Sequence, residues 1–214
     1  MLSNSFKWKH YEGEIILLKR KTVSKYSVSY RNLEEMMAER GIEVDHTTLM
    51  RWVHQYSPEI EKKVRRYLKP TNDSWRVDET YIKVKGKWKY LYLAVDSTGN
   101  TVDFMLSAKR DRKAAKRFFK KSLSSNHNQI PKVITVDKNP AYPAAINKLK
   151  NDKILPKNVG IRHIKYLYNI IEQYHRSIKR IVRPMLGFQS FITAIKTLKG
   201  IEAMNMIKKD KSII

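Results

Sequence analysis

The chain has 214 residues, 42% of them hydrophobic and 30% charged, with 12 Tyr, 6 Phe and 4 Trp. This length allows one medium-sized domain and a smaller one, and the composition excludes an intrinsically disordered protein. The 44 Lys and Arg residues outnumber the 20 Asp and Glu residues, which leaves a net charge of +24 and favours a polyanionic partner. Nucleic acid is a better candidate than anionic lipid, because the basic residues are spread along the chain.

The sequence predicts neither a membrane span nor secretion. Its longest purely aliphatic run, residues 15–18, is far shorter than the ~18 apolar residues that a transmembrane helix needs. The N-terminus lacks the apolar region of a signal peptide. Because the chain has no Cys, it has no disulfide framework, no thiolate nucleophile and no Cys-based zinc site. These features predict a soluble, cytoplasmic protein without a membrane partner.

The first 70 residues have the periodicity of helices. Helices are predicted over residues 12–25, over 29–40 with Ser29 as N-cap, and over about 45–56, with Gly41 separating the last two. This arrangement is typical of a helix-turn-helix, although any small helical hairpin has the same pattern. The net charge favours the DNA-binding interpretation. The residues that the second helix would present to a major groove are Thr47, Thr48, Arg51 and Gln55.

The periodicity changes near residue 70, after a basic linker over residues 61–70. Strands are predicted at 75–84, 88–95 and 101–108, and then a helix, a strand, a helix, a strand and two helices at 113–123, 132–136, 142–150, 161–164, 166–182 and 189–207. This order predicts a mixed five-stranded sheet with flanking helices, as in the ribonuclease H fold. Residues 1–70 would form a small all-α domain and residues 71–214 an α/β domain. Trp75, Trp88 and Tyr90 are interpreted as sheet packing rather than as base-stacking platforms.

Three acidic residues occupy unusual positions for so basic a protein. Asp78 lies inside a predicted strand, Asp137 follows the apolar strand at 132–136, and Glu172 lies on the basic face of the long helix. Taken singly, they fit a satisfied polar residue, a turn or cap residue, and an ion pair with Arg176. Three carboxylates brought together would repel one another unless a cation lay among them. They therefore predict Mg²⁺ or Mn²⁺, and two such ions support phosphoryl transfer.

Other acidic residues compete for this role. Asp103 is an alternative ligand if the strand register places it on the same face as Asp78. Asp96 fits a turn better. Glu172 also begins a Glu-x-x-His spacing that matches half of a di-iron site, but the other copy, at Glu43, falls in the predicted helical hairpin and no four-helix bundle is predicted.

Four stretches of the sequence carry a resemblance to a known family. They are WRVDETYIKVKGKW at 75–88, KVITVD at 132–137, NIIEQYHR at 169–176 and TLKGIE at 197–202. In addition, 34 residues separate Asp137 from Glu172, and Lys179 follows the glutamate by seven positions. In these features the chain resembles the DDE-class transposases of bacterial insertion sequences, most closely the short group whose elements move by replication and form cointegrates.

The resemblance implies an integrase-like core in which Asp78, Asp137 and Glu172 bind two Mg²⁺ ions, for which Mn²⁺ can substitute. The helix-turn-helix would bind the terminal inverted repeats of the element. Water would nick the end of the element, and the freed 3′-hydroxyl would attack target DNA. Lys179 would contact a phosphate, with Arg176 and His175 as further DNA contacts. The partners would be double-stranded DNA and further copies of the chain, as a homodimer or a larger complex near the nucleoid.

Three alternatives stay open. The chain can be a catalytically inactive, sequence-specific DNA-binding protein from a decayed element. A DNA-binding regulator would need the helix-turn-helix and the charge but not the acidic triad, so its activity would survive Asp137→Asn. A ribonuclease H-type nuclease would need the triad only, and would hydrolyse DNA without joining ends. The presence of both parts in one chain favours the transposase.

Overall fold

The computed structural model describes residues 29–164, 170–185 and 187–209. In chain order its elements are α1 (Tyr30–Ala38), α2 (His46–Val64), β1 (Ser74–Val84), β2 (Lys87–Asp96), β3 (Thr101–Ser107), α3 (Arg112–Leu123), β4 (Val133–Val136), α4 (Ala141–Asn151), β5 (Gly160–His163), α5 (Ile170–Val182) and α6 (Phe191–Lys209). The predicted helix over residues 12–25 and the predicted start of the long helix at Tyr166 lie outside the described residues. The strands and helices from residue 74 onwards follow the predicted order.

Local hydrogen bonds fix the start of the first two helices. The Ser29 side chain accepts a hydrogen bond from the Asn32 amide at 3.1 Å and caps α1. The Asp45 carboxylate accepts one from the Thr47 amide at 2.8 Å and caps α2. Between the helices, Gly41 has a φ of +70°, which a residue without a side chain adopts at little cost. The predicted helix pair and its turn are therefore present.

α2 is longer than predicted, because it continues through Pro58 to Val64 instead of ending at Tyr56. A proline inside a helix cannot donate one backbone hydrogen bond. The apolar stripe of the helix nevertheless continues past this point with Ile60 and Val64, both buried. Burial of these side chains offsets the lost hydrogen bond, so the proline does not end the helix.

The contacts of the chain group into two compact units. One lies between Arg66 and Ser177, and the other combines the described residues up to Arg65 with those from Ile178 onwards. In the second unit α2 packs along α6, where the Lys199 ammonium lies 3.8 Å from the Glu61 carboxylate. Among the described helices, none is both long and apolar enough to cross a membrane. The predicted division into residues 1–70 and 71–214 stays a prediction.

The sheet has the strand order β3-β2-β1-β4-β5. β1, β2 and β3 are antiparallel neighbours, whereas β4 runs parallel to β1 and β5 runs parallel to β4. Lys85 and Gly86, with φ values of 48° and 72°, form the two-residue turn between β1 and β2, and positive φ at both positions suits the twist of a hairpin. The predicted mixed, ribonuclease H-like sheet is confirmed.

Helices cover both faces of the sheet. On one face Trp75 and Val77 of β1 join a core formed with side chains of α3 and α4. On the other face the Tyr174 hydroxyl of α5 lies 2.8 Å from the Thr101 hydroxyl of β3. Because successive strand residues point to opposite faces, Asp78 points away from the face that Val77 occupies.

Candidate active site

Two of the three predicted carboxylates lie side by side at the end of β4. Val77 of β1 is in register with Val136, the last residue of β4. The next residue of each chain segment is an aspartate, Asp78 or Asp137. One carboxylate oxygen from each of these aspartates and one from Glu79 lie within 4.8 Å of one another. The parallel pairing of two strands thus brings together residues that are far apart in the sequence.

Glu79 is a member of this group that the sequence reasoning missed. Its side chain is only 1% exposed. The carboxylate accepts hydrogen bonds from the Arg110 guanidinium and the Tyr142 hydroxyl, and a further one from the Asn139 amide at 3.3 Å. A carboxylate with three donors is held in one position. The signal was present in the sequence, because the alternation that buries Trp75 and Val77 also buries Glu79.

Arg110 connects Glu79 to Asp137. Besides its contact with Glu79, its guanidinium lies 3.5 Å from the Asp137 carboxylate. Burial lowers the pKa of Arg110, but the Glu79 carboxylate, with Tyr81 and Asp137, raises it above its ordinary value. Arg110 is therefore a permanent positive charge beside the acidic group. Nothing in the local sequence marks it, since it lies in the loop between β3 and α3.

The acidic group holds a proton near neutral pH. Burial, together with the charges of Glu79 and Asp137, raises the pKa of Asp78 to about 7, although the Glu79 amide and Arg110 act in the opposite direction. One positive charge from Arg110 thus does not compensate for three carboxylates. Oxygen-only ligands of this kind select hard cations such as Mg²⁺ or Mn²⁺, so Asp78 and Asp137 fit the divalent ion that the sequence predicted.

α5 lies against this site. His175 is 8% exposed, and its Nδ1 atom is 3.7 Å from a carboxylate oxygen of Asp78. Glu172 is one helical turn before His175, on a neighbouring part of the helix surface. Its side chain is 53% exposed and lies 3.6 Å from the Arg176 guanidinium. The structure therefore brings the helix that carries Glu172 to Asp78, while the Glu172 carboxylate itself is outside the group of three.

The other predicted contacts on α5 are more accessible. The Arg176 side chain is 79% exposed. Lys179, two turns after Glu172, is half-buried. Both positions leave a cation at the helix surface, where a phosphate can be contacted. His175 differs from them, because its side chain is buried beside Asp78.

Asp103 is not on the same face as Asp78, contrary to the alternative that its strand position allowed. It pairs with Ala94, which belongs to the core under α3 and α4. Its carboxylate is 2.6 Å from the Lys121 ammonium of α3. The register is shifted by a bulge between Ala94 and Val95, which the sequence pattern does not reveal. Asp103 is therefore an ion-pair partner within the core.

Asp96 has the turn role that the sequence indicated. Its carboxylate accepts hydrogen bonds from Asn72, Thr98 and Asn100. Burial raises the pKa of Asp96, but these hydrogen bonds lower it by a larger amount, so the pKa lies below its ordinary value. Asp96 is thus ionised and fully engaged in the turn between β2 and β3.

A second group of side chains that could hold a metal lies at the start of α2 and consists of Glu34, Asp45 and His46. The Nδ1 atom of His46 is 2.8 Å from Glu34 and 3.4 Å from Asp45. Since Asp45 also caps α2, these contacts account for the group as a link between α1 and α2. Glu43, whose spacing matched half of a di-iron site, is not a member of the group.

The four predicted DNA-contact residues of α2 lie in the helical unit. Thr47, Arg51 and Gln55 are exposed and spaced four residues apart, so they form one stripe along the helix. Thr48 is half-buried, and its hydroxyl accepts a hydrogen bond from Arg51 at 3.1 Å. This stripe is accessible and carries donors and acceptors.

Comparison with known proteins decides the family. A model of the DDE domain of IS240-type transposases matches residues 72–211, which is more than half of the chain. The chain belongs to the DDE transposase family. The transposase of the insertion sequence-like element IS431mec from Staphylococcus aureus strain Mu50 is 40% identical over 207 residues, covering 96% of this chain and 89% of the relative. The transposase of the insertion sequence IS257 in transposon Tn4003 from Staphylococcus aureus has the same identity and coverage.

Two solved structures are also similar to this transposase. The HTLV-2 integrase catalytic core domain in complex with magnesium has a TM-score of 0.47 and 16% identity, over 62% of this chain and 85% of that one. The simian T-cell lymphotropic virus intasome in complex with the regulatory subunit B56 gamma of PP2A has a TM-score of 0.44 and 15% identity, over 86% and 65%. As a DDE transposase of an insertion sequence, the protein is an enzyme of the polynucleotidyl transferase class.

Proposed function

We propose that this transposase cuts DNA at the ends of its insertion sequence and joins the freed 3′-hydroxyl to target DNA, with Asp78, Asp137 and Glu172 as ligands of two Mg²⁺ ions. The observation that supports this most directly is the pair of aspartates at the end of β4, with the helix of Glu172 beside it. Divalent ions held by these residues would activate the attacking hydroxyl and stabilise the leaving oxygen in phosphoryl transfer.

The acidic group itself supports a divalent cation. Asp78 takes up a proton near neutral pH because it is buried and its neighbours are carboxylates. A cation bound to Asp78 and Asp137 would replace this proton and remove the repulsion. Glu79 is already saturated by three donors, so we assign it to fixing Arg110 rather than to binding the metal.

Glu172 is proposed as the third ligand from its place on α5. It is a helical neighbour of His175, which reaches Asp78. The contact that Glu172 makes with Arg176 is an exposed ion pair of roughly 0–1 kcal/mol, so it opposes metal binding only weakly. His175 would then hold Asp78 in place, and its predicted contact with DNA stays a prediction.

DNA recognition is proposed for two other surfaces. The helix pair α1 and α2 would bind the terminal inverted repeats through Thr47, Thr48, Arg51 and Gln55. Arg176 and Lys179 would contact phosphates near the cleaved bond. Because transposition joins two ends of one element, we propose a homodimer or a larger complex on double-stranded DNA.

The experiment that tests this function uses an end-labelled DNA fragment carrying the terminal repeats, incubated with the full chain and Mg²⁺. We expect nicking and strand joining by the wild type, and neither by Asp137→Asn or Glu172→Gln, while specific binding to the repeats persists. Asp152→Asn is the matched control, because Asp152 forms surface ion pairs with Lys116 and Lys148. This control should retain both reactions.

Each other outcome would indicate a different function of this protein. Cleavage without joining would indicate a ribonuclease H-type nuclease. Specific binding by the wild type without any cleavage would indicate an inactive DNA-binding protein from a decayed element. Full activity of Glu172→Gln would remove Glu172 from the proposed site and leave the group of Asp78, Glu79 and Asp137.

A further inference from the structure

The far end of the β1–β2 hairpin carries aromatic side chains that the sheet does not bury. Trp88 is 61% exposed and Tyr81 is 46% exposed. The ring centroid of Tyr81 is 6.4 Å from that of Trp88 and 5.4 Å from that of Tyr90. Tyr81 pairs with Tyr90 and Lys83 pairs with Trp88, so the three rings share one face. The expected packing within the sheet is therefore wrong for Trp88. Trp75 is fully buried and Tyr90 packs against the core, as expected.

The hairpin that carries this aromatic surface, which we define as Tyr81, Trp88 and Tyr90, is rich in lysine, and Lys83 shares the face of Trp88. The lysines of the hairpin are Lys83, Lys85, Lys87 and Lys89, and the first three are exposed. The sequence has no acidic residue between Glu79 and Asp96. Exposed apolar side chains with a rim of one charge mark a binding surface, and here the charge requires an anionic partner.

The aromatic surface begins close to the acidic group. Tyr81 follows Glu79 by two positions on the same face of β1. It is three residues beyond Asp78, about 10 Å along β1 at about 3.3 Å per strand residue, and on the opposite face of the strand. This distance equals about three nucleotide steps of about 3.4 Å along one DNA strand. The Glu79 carboxylate, on the face of Tyr81, lies within 4.8 Å of the Asp78 and Asp137 carboxylates, so a DNA strand that passes from these aspartates over Glu79 comes within reach of the aromatic surface.

We propose that the aromatic surface stacks on unpaired bases of the DNA strand within a few nucleotides of the cleaved phosphodiester, while the hairpin lysines contact its phosphates. The proposal rests on the proposed DNA cleavage at Asp78 and Asp137. Bases in an intact duplex are stacked on one another, so only unpaired bases offer free faces to aromatic rings. Stacking of this kind tolerates any sequence, which suits a surface with few hydrogen-bonding groups besides the lysines.

A second copy of the chain fits this surface less well than DNA. In a twofold-symmetric dimer the same patch meets itself, so the lysines of one hairpin would face those of the other. Their repulsion opposes such a contact, whereas the phosphates of DNA neutralise the same charges. The charge of the hairpin thus selects nucleic acid among the candidate partners.

The test measures binding of the full chain without divalent metal to two probes of the same terminal-repeat duplex. One probe is blunt, and the other carries a single-stranded thymidine overhang. We expect Trp88→Ala to weaken binding of the overhang probe by about 5- to 150-fold, the range that corresponds to stacking on one base, and to change blunt-probe binding by less than about twofold. Trp88→Phe should retain most of the affinity, because it keeps an aromatic ring.

Ile130→Ala is the control, since Ile130 is 59% exposed and lies outside the hairpin. It should leave both affinities unchanged. Tyr81→Ala is a second variant, for use if Trp88→Ala does not fold. We expect a selective loss of binding to the overhang probe for this variant as well. Because both probes are bound without metal, the result does not depend on whether Asp78, Asp137 and Glu172 catalyse cleavage.

Two outcomes would overturn the proposal. One is an equal loss, or no loss, for the two probes in Trp88→Ala and Tyr81→Ala. The other is a change from dimer to monomer in sedimentation of these variants, with DNA affinity preserved, which would make the surface a contact between copies of the chain. Fluorescence quenching of Trp88 by the overhang probe, absent with the blunt probe, would add direct support.

Discussion

At the scale of single residues, Asp78 links the stability of the metal-free protein to pH. Its pKa is about 7 in the folded protein, against an ordinary value of 3.8. The folded state therefore binds this proton more tightly than the unfolded state does. The resulting stabilisation is present in full below about pH 4 and is lost as the pH rises to about 7.

We expect Asp78→Asn to remove this loss of stability at rising pH. With EDTA present, the variant should be more stable than the wild type at pH 8, by up to a few kcal/mol at about 1.4 kcal/mol per tenfold change in proton affinity, and not at pH 4. Urea unfolding at the two pH values measures the difference. A wild type whose stability relative to Asp78→Asn is the same at pH 4 and pH 8 would contradict the raised pKa.

A divalent ion should compete with the same proton. In the wild type, we expect Mg²⁺ to raise the melting temperature more at pH 8 than at pH 6, because at pH 6 the ion must first displace the proton from Asp78. Differential scanning fluorimetry with a Mg²⁺ titration measures this. Asp137→Asn should respond weakly at both pH values. An equal response of Asp137→Asn and the wild type would place the ion elsewhere.

Glu79 provides a separate prediction, because it is buried and bound to Arg110 and Tyr142. Glu79→Gln removes the charge that Arg110 faces, and hydrogen bonds to a charged group contribute about 1.5–3 kcal/mol each. We expect the free energy of unfolding to fall by about 1–3 kcal/mol, measured by urea denaturation. Glu59→Gln, the same change at an exposed position, should have no effect above about 0.5 kcal/mol. A loss that is equal in both would show that burial of Glu79 is not the cause.

The sequence was sufficient for Asp78 and Asp137 but not for the whole acidic group. Asp78 stands out because Asp is a poor strand former, and Asp137 because it follows an apolar strand; the parallel pairing of β1 with β4 then brings them together. Arg110 lies in a loop with no pattern of its own, so only the tertiary structure reveals that it joins Glu79 to Asp137. Glu172 was singled out as an acid on the basic face of its helix, and its ligand role stays a prediction.

At the scale of the elements, the turn of the β1–β2 hairpin depends on Gly86. Its φ of +72° is strained for a residue with a side chain, although a Cβ there would meet no neighbouring atom. We expect Gly86→Ala to cost roughly 1–2 kcal/mol of stability, from the left-handed backbone conformation alone. Chemical denaturation with Gly160→Ala as control tests this, since a Cβ at Gly160 makes only ordinary contacts at 3.6 Å. Equal stability of the two variants would contradict the strain argument.

The order of the elements follows from local pattern, whereas their ends and register depend on packing. Alternating apolar residues and turn residues are sufficient to predict the three antiparallel strands. The continuation of α2 through Pro58 depends on burial of Ile60 and Val64. A local stop signal such as a proline does not reveal this burial. The bulge at Ala94 decides the face of Asp103, and a pattern of period two cannot encode an inserted residue.

At the scale of the whole molecule, the net charge of +24 predicts how DNA binding responds to salt. Each phosphate that the protein neutralises releases counterions, so the logarithm of the affinity should fall with the logarithm of the salt concentration by about 0.9 per phosphate. Fluorescence anisotropy with a non-specific duplex at several salt concentrations measures the slope. If the hairpin binds phosphates, Lys87→Gln should lower the slope by about 0.9, the contribution of one phosphate contact. A flat response would exclude a charge-driven interface.

The packing of α2 along α6 has a consequence for how the protein is made. The two helices are separated in sequence by the entire sheet, so the ribosome has released the sheet unit before α6 is complete. The sheet unit is contiguous and can fold during synthesis. α2 can pack against α6 only after α6, which follows the whole sheet unit in the sequence, has been synthesised. Nascent or prematurely terminated chains therefore lack a finished helical unit. If that unit holds the residues that read the DNA end, a prematurely terminated copy lacks the helix against which they are packed.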